Sequence, residues 1–145
     1  MMKLIEMIVD SVRENKEHPQ PNKVVILRER EGERYLPIWV VESGAESIAV
    51  WLQGINLPRP LTHDFIIDII NTVGLKIDKA IINKLEKETH YAILVLSSTT
   101  KHYEIDCRPS DALAVAIRAN APVFADEEVL KKAAVKLPNS IDSNT

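Results

Sequence analysis

Twice along this chain three strand-like runs lead into a helical one, and a further helical run stands between the two sets. That order predicts an α+β fold of two strand-rich halves joined by a linking helix, with a largely antiparallel or mixed sheet. In the first half the strands fall at about residues 3–13, 22–30 and 34–41, turned by Pro19, Pro21 and Asn22 and then by Gly32. Ser43 to Gln53 follows, with Ala45, Ile48, Ala49 and Leu52 at helical spacing, and Pro58 and Pro60 stop it. The linking helix starts from Thr62 as N-cap, carries Phe65, Ile66, Ile69, Ile70 and Val73 on one face, and ends at Gly74.

The second half repeats the plan, with strands at about 75–85, 90–97 and 101–107. The middle one is apolar on both faces from Tyr91 to Leu96 and is expected to be central in its sheet. Pro109 suits the first position of a helix whose interior, Ala112 to Ile117, has no polar residue, so burial on nearly every side is expected. A short last helix has Asp126, Glu127 and Glu128 at its start and Lys131 and Lys132 at its end, the order that suits the helix dipole. Glu46-Ser47-Ile48-Ala49-Val50-Trp51-Leu52 lies over Asp111-Ala112-Leu113-Ala114-Val115-Ala116-Ile117, a weak echo that leaves duplication open.

At 145 residues the chain has the length of one domain, placed at 1–137, with a tail from 138 to 145 expected to be disordered. No apolar run approaches the roughly 20 residues that span a bilayer, and Glu6 and Asp10 break the N-terminal apolar stretch, which lacks a secretory cleavage site. A single cysteine, Cys107, excludes a disulfide framework and a Cys-rich zinc site, so a cytoplasmic setting is expected. With four glycines, two of them placed to close helices, no loop can cradle a phosphate as a P-loop does. The net charge of −3 argues against strong general affinity for nucleic acid, and the positive stretch Arg28 to Arg34 alternates with glutamates as in a salt-bridged hairpin.

The polar residues that break the packing pattern lie at two helix entries. In Asp106-Cys107-Arg108-Pro109-Ser110-Asp111, two carboxylates and a guanidinium meet where a strand ends, a set that could place a divalent cation and hold a phosphate. A plainer role fits too: Ser110 and Asp111 cap the helix while Asp106 pairs with Arg108. In Arg59-Pro60-Leu61-Thr62-His63-Asp64, His63 could serve as general base or metal ligand with Asp64 orienting it. Alternatively Thr62 caps, Asp64 favours the helix dipole and His63 lies on the surface. Ser43-x-x-Glu46 reads as a capping box. Cys107 falls on the face of Tyr103 and Ile105 and is expected in the core; Trp39, Trp51, Tyr91 and Tyr103 are expected to pack.

These two motifs, with Leu36-Pro37-Ile38-Trp39-Val40 before them, resemble the bifunctional nuclease domain family over about residues 3–131. The resemblance implies a small α+β domain, often a homodimer, whose members are described as degrading DNA and RNA. It points to His63 and Asp64 in one motif and to Asp106, Arg108, Ser110 and Asp111 in the other. The family pattern continues after Leu-Pro-Ile-Trp with a small aliphatic residue, Gly, two variable residues and Glu-Ala. Here Val41 replaces that glycine and Gly44 falls at the glutamate, so a role for it would pass to Glu42 or Glu46.

Two functions are therefore carried forward. One is a phosphodiesterase acting on nucleic acid, with Asp106 and Asp111 placing Mg2+ or Mn2+, Arg108 holding the phosphate, and His63 with Asp64 activating water. The other is a non-catalytic dimeric interaction module, which the acidic balance, the absent glutamate and the lack of a basic groove favour.

Overall fold

The computed structural model describes residues 2–136, and the expected tail lies outside them. Three strands, β1 (Leu4–Glu14), β2 (Lys23–Glu29) and β3 (Tyr35–Val40), lead into α1 (Glu42–Leu52). After α2 (Thr62–Thr72), three more, β4 (Lys76–Glu86), β5 (Thr89–Ser97) and β6 (His102–Cys107), lead into α3 (Pro109–Ala119). The chain then adds β7 (Val123–Asp126) and α4 (Glu127–Ala133).

All seven strands form one sheet in the order β3-β2-β1-β7-β4-β5-β6. Every neighbouring pair is antiparallel except β4 with β7, which is parallel. Each half is thus a meander running outward from the centre, and β7 is the seam. Four residues after Pro122 give too short a pattern to read as a strand, so sequence reasoning passed β7 over. It also put β5 at the centre of its sheet. Ala92, Leu94 and Leu96 are buried on one face and Val95 on the other, yet β5 sits one strand from the β6 edge, because burial of the faces reports the layers packed on them and not the place in the strand order.

The main core lies between the sheet and the helices, and Met7, Leu27, Leu36, Ile48, Ile82, Leu113 and Leu130 bring both halves into it. Helix α3 is the central rod: Ser110 and every residue from Ala112 to Ala116 are buried. Its small side chains let α1, α2 and the sheet approach from different sides, as the polar-free run predicted. Asn120, at φ 55°, ends α3 in the left-handed conformation, and Gly54 and Gly74, at φ 67° and 83°, do so after α1 and α2. On the other sheet face Val24 and Ile26 pack with Tyr35, Trp39 and Val135, and the His18 ring stacks on Trp39 at 3.7 Å.

The expected salt-bridged hairpin forms in part: within it, among the described residues, only Arg34 and Glu29 pair, while Arg28 and Arg30 reach β1 instead. Arg34 bonds Glu29 through Nε at 3.0 Å and reaches Glu127 on α4 through Nη1 at 2.6 Å, tying the hairpin to the last helix. Arg28 and Arg30 pair with Asp10 and Glu6. The α2 stripe is a different matter. Ile70 is buried, but Phe65, Ile69 and Val73 are 58%, 47% and 65% exposed, because five apolar residues in this pattern cover a wider arc than one packed face can take.

Among the described residues no helix is long and apolar enough to cross a membrane.

Candidate active site

The first turns of α2 and α3 converge on the N-terminal half of α1, and Gly44 permits the close approach of α3. A Cβ built there would lie 2.7 Å from Ser110 Cβ, closer than real side chains come, and Ser110 is itself buried on α3. The one glycine without a turn role is thus a contact point between helices. The glutamate that the family pattern has at position 44 would not fit against Ser110 as it stands. Of its suggested substitutes, Glu42 points outward toward Lys23 at 3.8 Å, whereas Glu46 lines the cleft beside Gly44.

Helix α1 begins from an extended Val41 with no side-chain cap, so the expected Ser43–Glu46 box does not form, and Glu46 is left exposed. The cap of α2 also differs from expectation. Leu61 holds the N-cap position, and its N–H donates to Asp64 Oδ2 at 2.8 Å. Arg108 holds the same place before α3, with Pro109 at the first helical position.

At the meeting point is a cleft of about 320 Å³, with Glu46, Ser47, Thr62, His63, Arg108 and Asp111 among its walls. Two helix N-termini open onto it, a setting that favours anions. His63 is not on the surface: it is 7% exposed, and both ring nitrogens are engaged. Nδ1 lies 2.6 Å from Ser47 Oγ on α1, and Nε2 lies 2.9 Å from Asp111 Oδ1 on α3. Asp111 also accepts from Arg108, at 2.8 Å from Nε and 3.2 Å from Nη2. Burial pulls the Asp111 carboxyl up, but hydrogen bonds from Arg108 and then His63 outweigh it and hold the group below its usual range. Ionised Asp111 can only accept, so in the neutral ring Nε2 carries the proton and Nδ1 accepts from the Ser47 hydroxyl.

Asp64, expected to orient His63, does other work. Its Oδ1 accepts from Arg118 Nε at 2.7 Å, and Arg118 donates onward to the carbonyls of Ala114 at 3.0 Å and Ser47 at 2.9 Å. With only 3% of its side chain exposed, Arg118 clamps α1, α2 and α3 together. Burial raises Asp64, while the Leu61 N–H and Arg118 lower it further, leaving it below the usual carboxylate range.

The two aspartates expected to share an ion are separated. Ile105 and Cys107 face α2, where they line an apolar cavity with Ile66 and Ile69. Strand alternation sends Asp106 to the opposite sheet face, where its charge acts on Lys84. Neither does Asp106 pair with Arg108, which is committed to Asp111. Among the described residues no three His, Cys, Asp or Glu side chains gather as a metal group. The residues present therefore do not form the shared carboxylate site expected for Mg2+ or Mn2+. Cys107 is half-buried, and burial first, then Asp111 and Asp106, pushes its thiol up to about 11, which suits packing rather than attack.

Sequence reasoning passed over Ser47 and Arg118. Each carried a signal: Ser47 is a polar residue on the buried face of α1, beside Ala45 and Ile48, and Arg118 is a lone charge ending an apolar run. Trp51, expected to pack, is 46% exposed and lies over the Arg118 guanidinium at 5.5 Å.

Residues 25–138 match the bifunctional nuclease domain. The chain belongs to this family. The chain is similar to relatives at greater and lesser distance. An uncharacterized protein of Mycobacterium tuberculosis is 41% identical over 126 residues, covering 87% of this chain and 75% of that one. Bifunctional nuclease 2 of Oryza sativa subsp. japonica is 31% identical over 109 residues, 72% of this chain and 33% of that one. Bifunctional nuclease 1 of Arabidopsis thaliana is 25% identical over 107 residues, again 33% of its own length. This chain thus corresponds to about a third of the plant proteins that carry the nuclease name.

Proposed function

We propose that this domain hydrolyses phosphodiester bonds in DNA and RNA at the cleft between α1, α2 and α3. The observation that carries this reading is the buried His63, bonded on one side to Ser47 and on the other to Asp111, at a cleft whose rim holds Arg108. The Arg108 side chain is 64% exposed and binds Asp111 through Nε and Nη2 only, leaving donors for a phosphate oxygen. Family membership and the nuclease names of the plant relatives support the same substrate class. The lone cysteine agrees with a cytoplasmic setting.

The test is cleavage of single-stranded DNA and RNA by the purified protein, with magnesium or manganese and then with EDTA, beside Asp111→Asn. Cleavage by the wild type and a loss of about 100-fold or more in the variant are expected. Cleavage that survives the substitution would remove Asp111 from the site, and EDTA decides whether an ion is needed.

A second reading, a dimeric interaction module, is favoured by one feature. Phe65, Ile69 and Val73 on α2 are exposed, and Ile69 shares an apolar cavity with the exposed Ile105 on the edge strand β6, which leaves an apolar surface next to an open strand edge. This is the face on which the expected homodimer would form. Light scattering of the wild type and of Phe65→Glu tests it: a dimer converted to a monomer supports the surface. If both proteins are also inactive on every substrate, the module is the better account.

A further inference from the structure

We propose that Ser47 is the nucleophile of this site, attacking phosphorus to form a phosphoserine intermediate that water then hydrolyses. The inference rests on the phosphodiesterase reading and deepens it.

A general base that activates water must present a free nitrogen to that water. His63 has none: Nε2 is bonded to Asp111, and Nδ1 to the Ser47 hydroxyl at 2.6 Å. The proton within reach of Nδ1 is the one on Ser47. The sequence of contacts from carboxylate to imidazole to hydroxyl has the connectivity of a nucleophile, base and orienting acid, with the two ring nitrogens exchanged relative to the usual serine triad. Ser47 lies on the cleft wall with Arg108, so a phosphate docked on that guanidinium shares the cleft with the hydroxyl. Among the described residues the other buried serine is Ser110, which is pressed against Gly44 and bonds no described imidazole.

In the first step Ser47 Oγ bonds to phosphorus as its proton passes to His63 Nδ1. The bond from phosphorus to the leaving sugar oxygen breaks in line, on the side away from Ser47, and that oxygen takes a proton from a water there, which leaves hydroxide. Asp111 stabilises the imidazolium in between, and Arg108 faces the charge on the phosphoryl oxygens. In the second step that hydroxide attacks phosphorus from the side opposite Ser47, and Ser47 leaves with the proton held on His63 Nδ1. Water is the sole co-reactant.

Two measurements test this. The first is labelling of the full chain with a fluorophosphonate, in which fluoride leaves as the serine oxygen bonds to phosphorus, followed by peptide mass spectrometry. A phosphonyl adduct on Ser47, absent from Ser47→Ala, is expected; a protein that stays unlabelled, or is labelled elsewhere, overturns the proposal. The second is cleavage of single-stranded DNA by Ser47→Ala, whose fold is checked by thermal melting. A loss of about 1,000-fold or more with the melting transition retained is expected. If the wild type cleaves and folded Ser47→Ala cleaves equally well, the nucleophile assignment fails and the nuclease reading stands. If the wild type cleaves nothing, the nuclease reading fails, and an adduct on Ser47 still establishes a reactive serine.

Discussion

Helices α1 and α3 close equivalent meanders and touch where Gly44 meets Ser110, yet they differ in what surrounds them. Helix α3 is buried through Ala112–Ala116, whereas α1 buries Gly44, Ala45, Ser47 and Ile48 and exposes Trp51 and Leu52. Their leading carboxylates, Glu46 and Asp111, correspond in the sequence overlay and line the same cleft. Asp111 is bound by Arg108 and His63, while Glu46 has no ion partner among the described residues. One plan thus yields a rigid, neutralised wall from the second half and a wall with a free carboxylate from the first. The difference arises from position: α3 is flanked by the sheet, α1 and α2, and α1 lies to one side.

The contrast can be broken in four ways. Leu113→Ala, fully buried on α3, should cost about 2–5 kcal/mol in urea unfolding, whereas Leu52→Ala on the exposed side of α1 should cost about 0.5 kcal/mol or less. Equal costs would mean that α1 is as deeply packed as α3. Gly44→Ala places a Cβ against Ser110 and should destabilise by about 1–3 kcal/mol. In a double-mutant cycle with Ser110→Gly, a coupling of about 0.5–3 kcal/mol that relieves the clash is expected, and simple additivity would refute the contact.

Asp111→Asn should cost about 1–3 kcal/mol because it leaves Arg108 and His63 short of their charged acceptor; Glu46→Gln should stay within about 0.5 kcal/mol. The pH dependence sharpens this pair. The folded-state pKa of Asp111 lies below its ordinary value. Its stabilising effect is therefore complete above the unfolded carboxyl range, about pH 4–5, and is lost as pH falls through the folded value. The stability gap between wild type and Asp111→Asn should narrow on acidification. A gap that is constant from pH 7 to 3 would detach the effect from the carboxylate.

Much of this architecture was legible along the chain. Hydrophobic period placed six strands and four helices within a few residues of their observed ends, because each depends on neighbours close in sequence. The repeat was visible for the same reason. Strand order was not, since a two-sided apolar run reports burial and not place. Nor did local chemistry settle the caps: Ser43 and Thr62 are good capping residues, but the helices begin one residue earlier or from Leu61, where packing of the helix entries set the backbone.

The candidate site divides along the same line. His63, Arg108 and Asp111 were singled out as polar residues at helix entries, a property of the sequence itself. Their partners were set at long range: Asp111 is 48 positions from His63, and Ser47 is 16 away. Asp106, only five residues from Asp111, turns to the other face of the sheet because strand alternation outweighs nearness in sequence. The sequence by itself determined the elements, the repeat and which residues interrupt the packing. Only the tertiary structure decided which of these meet, because the contacts of His63 depend on how closely three helices approach, and the α1–α3 spacing rests on a glycine whose role appears only against Ser110.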